Sequence, residues 1–142
     1  MEQITALQAL YEDYNYQATK IRREARPFDG FMGLGNDPRK NPCHDQFYRN
    51  VGAWVERFIA DSADPQLAAA AATVMVEAPH RYRDEEGFWY ICACVGHVSQ
   101  LVPLMGKEDC AALAQRFNDL YPKYERLPVQ QNVFKQLRKA GK

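Results

Sequence analysis

Chemistry in this chain would have to come from a few side chains near one loop. Residues 26–41 read Arg-Pro-Phe-Asp-Gly-Phe-Met-Gly-Leu-Gly-Asn-Asp-Pro-Arg-Lys-Asn, and the next two positions after Pro42 are Cys43 and His44. Three glycines and two prolines exclude a helix there, and the segment is longer than the usual connection of about 4–6 residues. Asp29, Asn36, Asp37, Arg39 and Lys40 lie in the loop, with Cys43 and His44 in the first turn of the helix that follows. A helix start offers unbonded N–H groups and the positive end of a dipole. The set predicts a site for an anionic ligand or a partner carboxylate, with Arg39 or Lys40 assisting and the Cys43 thiol lowered in pKa. The plainer use of the same residues is a surface loop tucked in by Phe28, Phe31, Met32 and Leu34. The spacing Gly30-x-x-Gly33-x-Gly35 is neither a dinucleotide fingerprint nor a phosphate-binding loop, since no Lys-Ser/Thr follows.

Other reactive types are sparse. Cys92, Cys94 and His97 share one stretch, but on a helix only Cys94 and His97 share a face, and paired zinc-ligand spacing is missing, so no metal is expected. A di-iron bundle needs Glu-x-x-His on two helices, and Glu77-x-x-His80 is the single instance. The only serines are Ser62 and Ser99, with no nucleophile elbow. His97, in an apolar helix, reads as a core or interface histidine with one hydrogen bond, or as the base partner of Cys43. No cofactor is expected, and catalysis is not the favoured function.

Charge is balanced at 18 basic against 18 acidic side chains, so a generally basic, nucleic-acid-coating protein is excluded. The balance is uneven along the chain. Residues 121–142 carry six Lys/Arg against Glu125 alone, a net +5, which leaves −5 for residues 1–120. Lys135, Arg138, Lys139 and Lys142 fall at i, i+3, i+4 and i+7, a basic patch on one helix face. Cations near a helix C-terminus also simply complement its dipole. His80-Arg81-Tyr82-Arg83, followed by Asp84, Glu85 and Glu86, reads as a helical-hairpin tip with internal ion pairs.

The elements that must position these groups are helices. The chain of 142 residues has 18 Ala, 10 Leu and 10 Gln but only 16 β-branched residues, and no Asn-Gly or Asp-Gly hairpin turn between alternating runs. The prediction is one all-α domain, residues 1–142, of about six helices. Ile4, Leu7, Tyr11, Tyr14, Ala18, Ile21 and Ala25 form a heptad-like stripe on a first helix over about 2–25. The stripe suits core packing; its other use is a homodimer through this helix. Asn41-Pro42 and Asp64-Pro65 are N-cap and first-turn signals for the second and third helices, and Pro79 is expected to stop the third. A fourth helix from Phe88 to about Leu101, extending with a kink at Pro103, a fifth from Lys107 to Tyr121 and a sixth from Pro128 complete the set. Residues ~65–78 and ~88–105, nearly uncharged, form the expected central apolar hairpin.

The stretch Phe88–Met105 is interrupted by Gly96, His97 and Pro103, which favours a buried helix over a membrane span. Four unpaired cysteines and a first segment without a basic, apolar leader predict a cytoplasmic protein. The function these features favour is a helical protein-interaction or regulatory domain, binding another protein through the 26–44 loop and adjacent basic and aromatic surface. The alternative is a small-ligand binder or enzyme with its pocket between that loop and the central hairpin, using Cys43, His44, Asp37, Arg39 and His97. Neither nucleic acid nor membrane is an expected partner, although the last helix could touch phosphates.

Overall fold

A computed structural model describes residues 2–31, 35 and 37–142. The chain is all-α, with no strand among the described residues. The helices are α1 (Glu2–Glu24), α2 (Pro42–Asp61), α3 (Pro65–Arg81), α4 (Phe88–Cys94), α5 (Val98–Leu101), α6 (Lys107–Leu120) and α7 (Pro128–Ala140). Short 3-10 turns at Pro38–Lys40, Val95–His97, Val102–Leu104 and Lys123–Glu125 link them.

Local chemistry sets the starts. The Asn41 side chain accepts from Cys43 N at 2.9 Å, and that of Asp64 from Gln66 N at 2.8 Å and Leu67 N at 3.0 Å. Each cap satisfies donors that a helix leaves unbonded, and a proline follows each at the first helical position. At α7 the Gln130 side chain reaches back to accept from Leu127 N at 2.9 Å.

One apolar core gathers these helices. α1 lies along α2, α2 touches α4, α3 packs on both α4 and α6, and α7 covers α6 and the 3-10 turns. Ile4, Leu7, Tyr11, Tyr14 and Ala18 of the α1 stripe are buried in that core. Most of the stripe therefore serves as a core face of this chain, while Ile21 and Ala25 at its end are half-buried. The central hairpin is α3 with the α4–α5 rod. Ala68, Ala71, Ala72 and Met75 on one side and Ile91, Cys94, Val98 and Leu101 on the other are all fully enclosed. No helix among the described residues is long and apolar enough to cross a membrane.

Two expectations are corrected. The first is Pro79, which does not stop the third helix; α3 runs on to Arg81. The Tyr121 hydroxyl enters the helix at this point, donating to Val76 O and accepting from His80 N at 3.1 Å. Those are two groups that an i, i+4 ladder would otherwise join, so a side chain from another element carries the helix past the residue that lacks an N–H. Tyr82 N closes the last turn on Ala78 O at 2.9 Å. The second is the fourth helix, which tightens to 3-10 form already at Val95–His97, before Pro103, and divides into α4 and α5.

Candidate functional site

The 26–44 loop is built on its own acids. Asp29 Oδ2 accepts from Arg26 N at 2.8 Å, and its other oxygen faces Arg26 Nε at 3.5 Å. Asp37 accepts from Arg39 N at 2.9 Å, Arg39 Nε at 3.1 Å and Arg39 Nη2 at 3.0 Å. The two guanidinium bonds and the backbone bond hold the Asp37 carboxyl below its usual range. Gly30 and Gly35 have φ of +87° and +68°. A Cβ on Gly30 would stand 2.7 Å from Asp37 Cγ, and one on Gly35 would stand 2.3 Å from Asp29 Oδ1. Glycine is therefore required at both turns, for conformation and for space. Asn36, the remaining polar residue expected here, lies outside the described residues.

His44 fastens this loop to the helices. Its Nε2 is 2.8 Å from Pro38 O, and its Nδ1 is 2.7 Å from Tyr14 Oη. A carbonyl only accepts, so Nε2 carries the proton and Nδ1 accepts from the Tyr14 hydroxyl in the neutral ring. Burial holds the Tyr14 phenol well above its ordinary pKa, which keeps that donor in place. The His44 ring also stacks on Tyr90 of α4, with centroids 4.7 Å apart and planes at 15°. One buried imidazole thus ties loop, α1, α2 and α4 together.

That arrangement changes the chemistry expected of Cys43. Both His44 nitrogens are engaged by Tyr14 and Pro38, so neither is available to take a proton from the neighbouring thiol. Burial pushes the Cys43 thiol up, the opposite of the lowered value that the helix start suggested. The first-turn amide that would have met an anion is already capped by Asn41. The His44–Tyr90 stack lies where the described part of the loop meets the hairpin. The concavity beside Cys43, about 440 Å³, opens instead between α1 and α2, lined by Tyr14, Gln17, Gln46 and Asn50 among others.

His97 sits farther along α2. Its Nε2 donates to Tyr48 O at 3.3 Å and its ring lies 4.6 Å from that of Tyr48. Gly52 makes the space, because a Cβ there would stand 3.0 Å from His97 Cε1. Desolvation lowers the His97 pKa, with the Tyr48 carbonyl opposing. Tyr48 and Gly52 are five and nine residues beyond Cys43, so His97 is about 7–14 Å farther down the helix axis at 1.5 Å per residue. The structure groups Asp37, Arg39, Cys43 and His44 at one helix start but places His97 at a separate contact. Cys92, Cys94 and Cys110 are buried and unpaired, and burial lifts the Cys92 thiol to about 11. Among the described residues no three His, Cys, Asp or Glu side chains cluster to hold a metal.

The hairpin tip pairs with α1 rather than with itself. Arg81 approaches Glu12 at 3.9 Å and Glu86 approaches Arg22 at 3.9 Å, both pairs exposed. The charges of the tip are therefore partly matched by those of the first helix.

The basic face is larger than the four residues expected. Lys135, Arg138, Lys139 and Lys142 line a concavity of about 670 Å³ that also takes in Lys123 and Arg126 from the segment between α6 and α7. Arg126 is the part that sequence spacing missed. It donates from Nε to Tyr121 O at 2.9 Å, from Nη1 to Gln131 Oε1 at 3.1 Å and from Nη2 to Asn118 Oδ1 at 2.6 Å. Its guanidinium lies 4.2 Å from the Phe134 ring centroid. Its position outside the helix repeat hides it from any periodicity argument; Pro128 after a basic residue is the single local hint.

Comparison with protein-family models, curated proteins and solved structures finds no match to this chain.

Proposed function

We propose that this chain is a helical protein-interaction domain that docks a partner protein on the outer face of the 26–44 loop. The observation that carries the reading is the inversion of the loop. Its acids are spent within the loop, Asp29 on Arg26 and Asp37 on Arg39, and His44 bonds to Pro38 O beneath it. Among its described residues, two large apolar side chains stand in solvent, Phe28 74% and Phe31 61% exposed. The Arg26 and Arg39 side chains of the same loop are each 78% exposed. Exposed aromatic and arginine side chains are the residue types of interface hot spots. The catalytic alternative is weakened by the engaged nitrogens of His44 and the raised Cys43 thiol.

The test is quantitative affinity capture from the source cell with the wild-type chain and with a Phe28→Ser/Phe31→Ser variant of unchanged circular dichroism. A protein retained by the first and depleted at least tenfold by the second supports the reading. Equal recovery by both chains refutes it.

A further inference from the structure

We infer that the groove between the Lys123–Arg126 segment and α7 is a binding site for a small molecule carrying two or more phosphate groups. This surface is separate from the loop face proposed above. Six cationic side chains line it, Lys123, Arg126, Lys135, Arg138, Lys139 and Lys142, and no acidic residue does. Among the described residues, every ion pair lies elsewhere, and none of these six is in one. The cost of gathering them is real, since Lys135 and Lys139 are like charges at i, i+4 on α7 and Lys142 follows just past its end.

Arg126 gives the groove a fixed centre. Three neutral acceptors and the Phe134 face hold its guanidinium in place, and no carboxylate is among them. A guanidinium has five N–H donors, so two are left after these three bonds. The same bonds set the polarity of the neighbours. Asn118 and Gln131 spend their carbonyl oxygens on Arg126, so their amide NH2 groups are what they can offer a ligand. Lysine and arginine are donors only, and these two amides add NH2 donors with their carbonyl oxygens already turned to Arg126. A groove dominated by cationic donors fits a group that only accepts and is negatively charged, and phosphate in fork geometry with arginine is a strong such match.

Size and surroundings decide between anions. Lys135, Arg138 and Lys139 span about 6 Å of α7, with Lys142 just beyond its end, and the volume falls in the usual range for small-ligand sites of about 300–1,000 Å³. A long polyanion would run from the groove onto a body whose net charge is −5. Base stacking has no platform in the lining, because its one aromatic ring, Phe134, is buried beneath Arg126. The α7 carbonyl end opposes an anion with only about half a charge, against six full cations.

Isothermal titration of the full chain with inorganic tripolyphosphate tests the site, with monophosphate, oligothymidylate and a poly-glutamate peptide as comparison ligands. The expected result is saturable one-to-one binding of tripolyphosphate, tighter than each of the other three. Arg138→Gln/Lys139→Gln, at two exposed positions, should weaken it at least tenfold, and Arg126→Lys, which keeps the charge but loses the fork, should weaken it as well. Lack of saturation, binding that the double variant leaves unchanged, or tighter binding of oligothymidylate or poly-glutamate would overturn the inference.

Discussion

At the 26–44 loop the charged and titratable groups face one another, whereas beside α7 they face solvent. Asp29 holds Arg26, Asp37 holds Arg39, and His44 uses both ring nitrogens on its own chain. In the groove six cations have no acid opposite them, and the one that is fixed is fixed by neutral groups. Both regions look basic and polar when charges are counted. What separates them is whether the donors are already engaged. Engaged groups leave the loop with Phe28 and Phe31 as its prominent surface, and unengaged donors are the basis of the anion site proposed for the groove.

The contrast can be broken most directly at His44. His44→Ala removes two buried hydrogen bonds and the Tyr90 stack, and should cost about 3 kcal/mol in urea unfolding. A loss below about 1 kcal/mol would mean that the loop is not fastened there. Near the groove the corresponding support is neutral. Tyr121→Phe strands Val76 O and His80 N and should cost about 2 kcal/mol by the same measurement.

Protonation gives a smaller effect. The folded-state pKa of His97 is lowered by burial, so the unfolded chain takes up the proton more readily. The stability due to the neutral ring is complete above the unfolded value near 6.5 and is lost as pH falls below it. His97→Asn should flatten that part of the pH dependence of the urea midpoint. The smallest effect belongs to the unpaired cations. Arg138→Gln/Lys139→Gln should change the stability by less than about 1 kcal/mol, because relief of like-charge repulsion along α7 opposes the loss of two cations that complement its dipole. A marked drop would show that these side chains hold the fold and are not held in reserve for a ligand.

Much of the fold is legible in local sequence because its signals are local. Asn41-Pro42 and Asp64-Pro65 start α2 and α3 as read, and the α1 stripe turns inward as a core face. Misreadings arise where a distant group decides. Pro79 looks like a terminator until the Tyr121 hydroxyl, 41 residues from His80, is brought to the break. Cys43 looks activated at a helix start until its burial and the Asn41 cap are seen together. Helical spacing finds Lys135, Arg138, Lys139 and Lys142, yet it has no means of placing Lys123 and Arg126, which approach from a 3-10 turn and its cap. The groove is thus half visible in the sequence, and its centre is the half that is not.

The hydroxyl that enters α3 also bears on how the molecule comes apart. The last turns of an ordinary helix fray on their own, and their amides exchange with solvent well before the domain unfolds. Here the His80 amide is protected by a residue at the far end of α6, so it can exchange only when the Tyr121 segment lifts away. The end of α3 and the end of α6 therefore belong to one cooperative opening unit, and the hydrogen-exchange rate of His80 becomes a gauge of how firmly the segment leading into the cationic groove is seated.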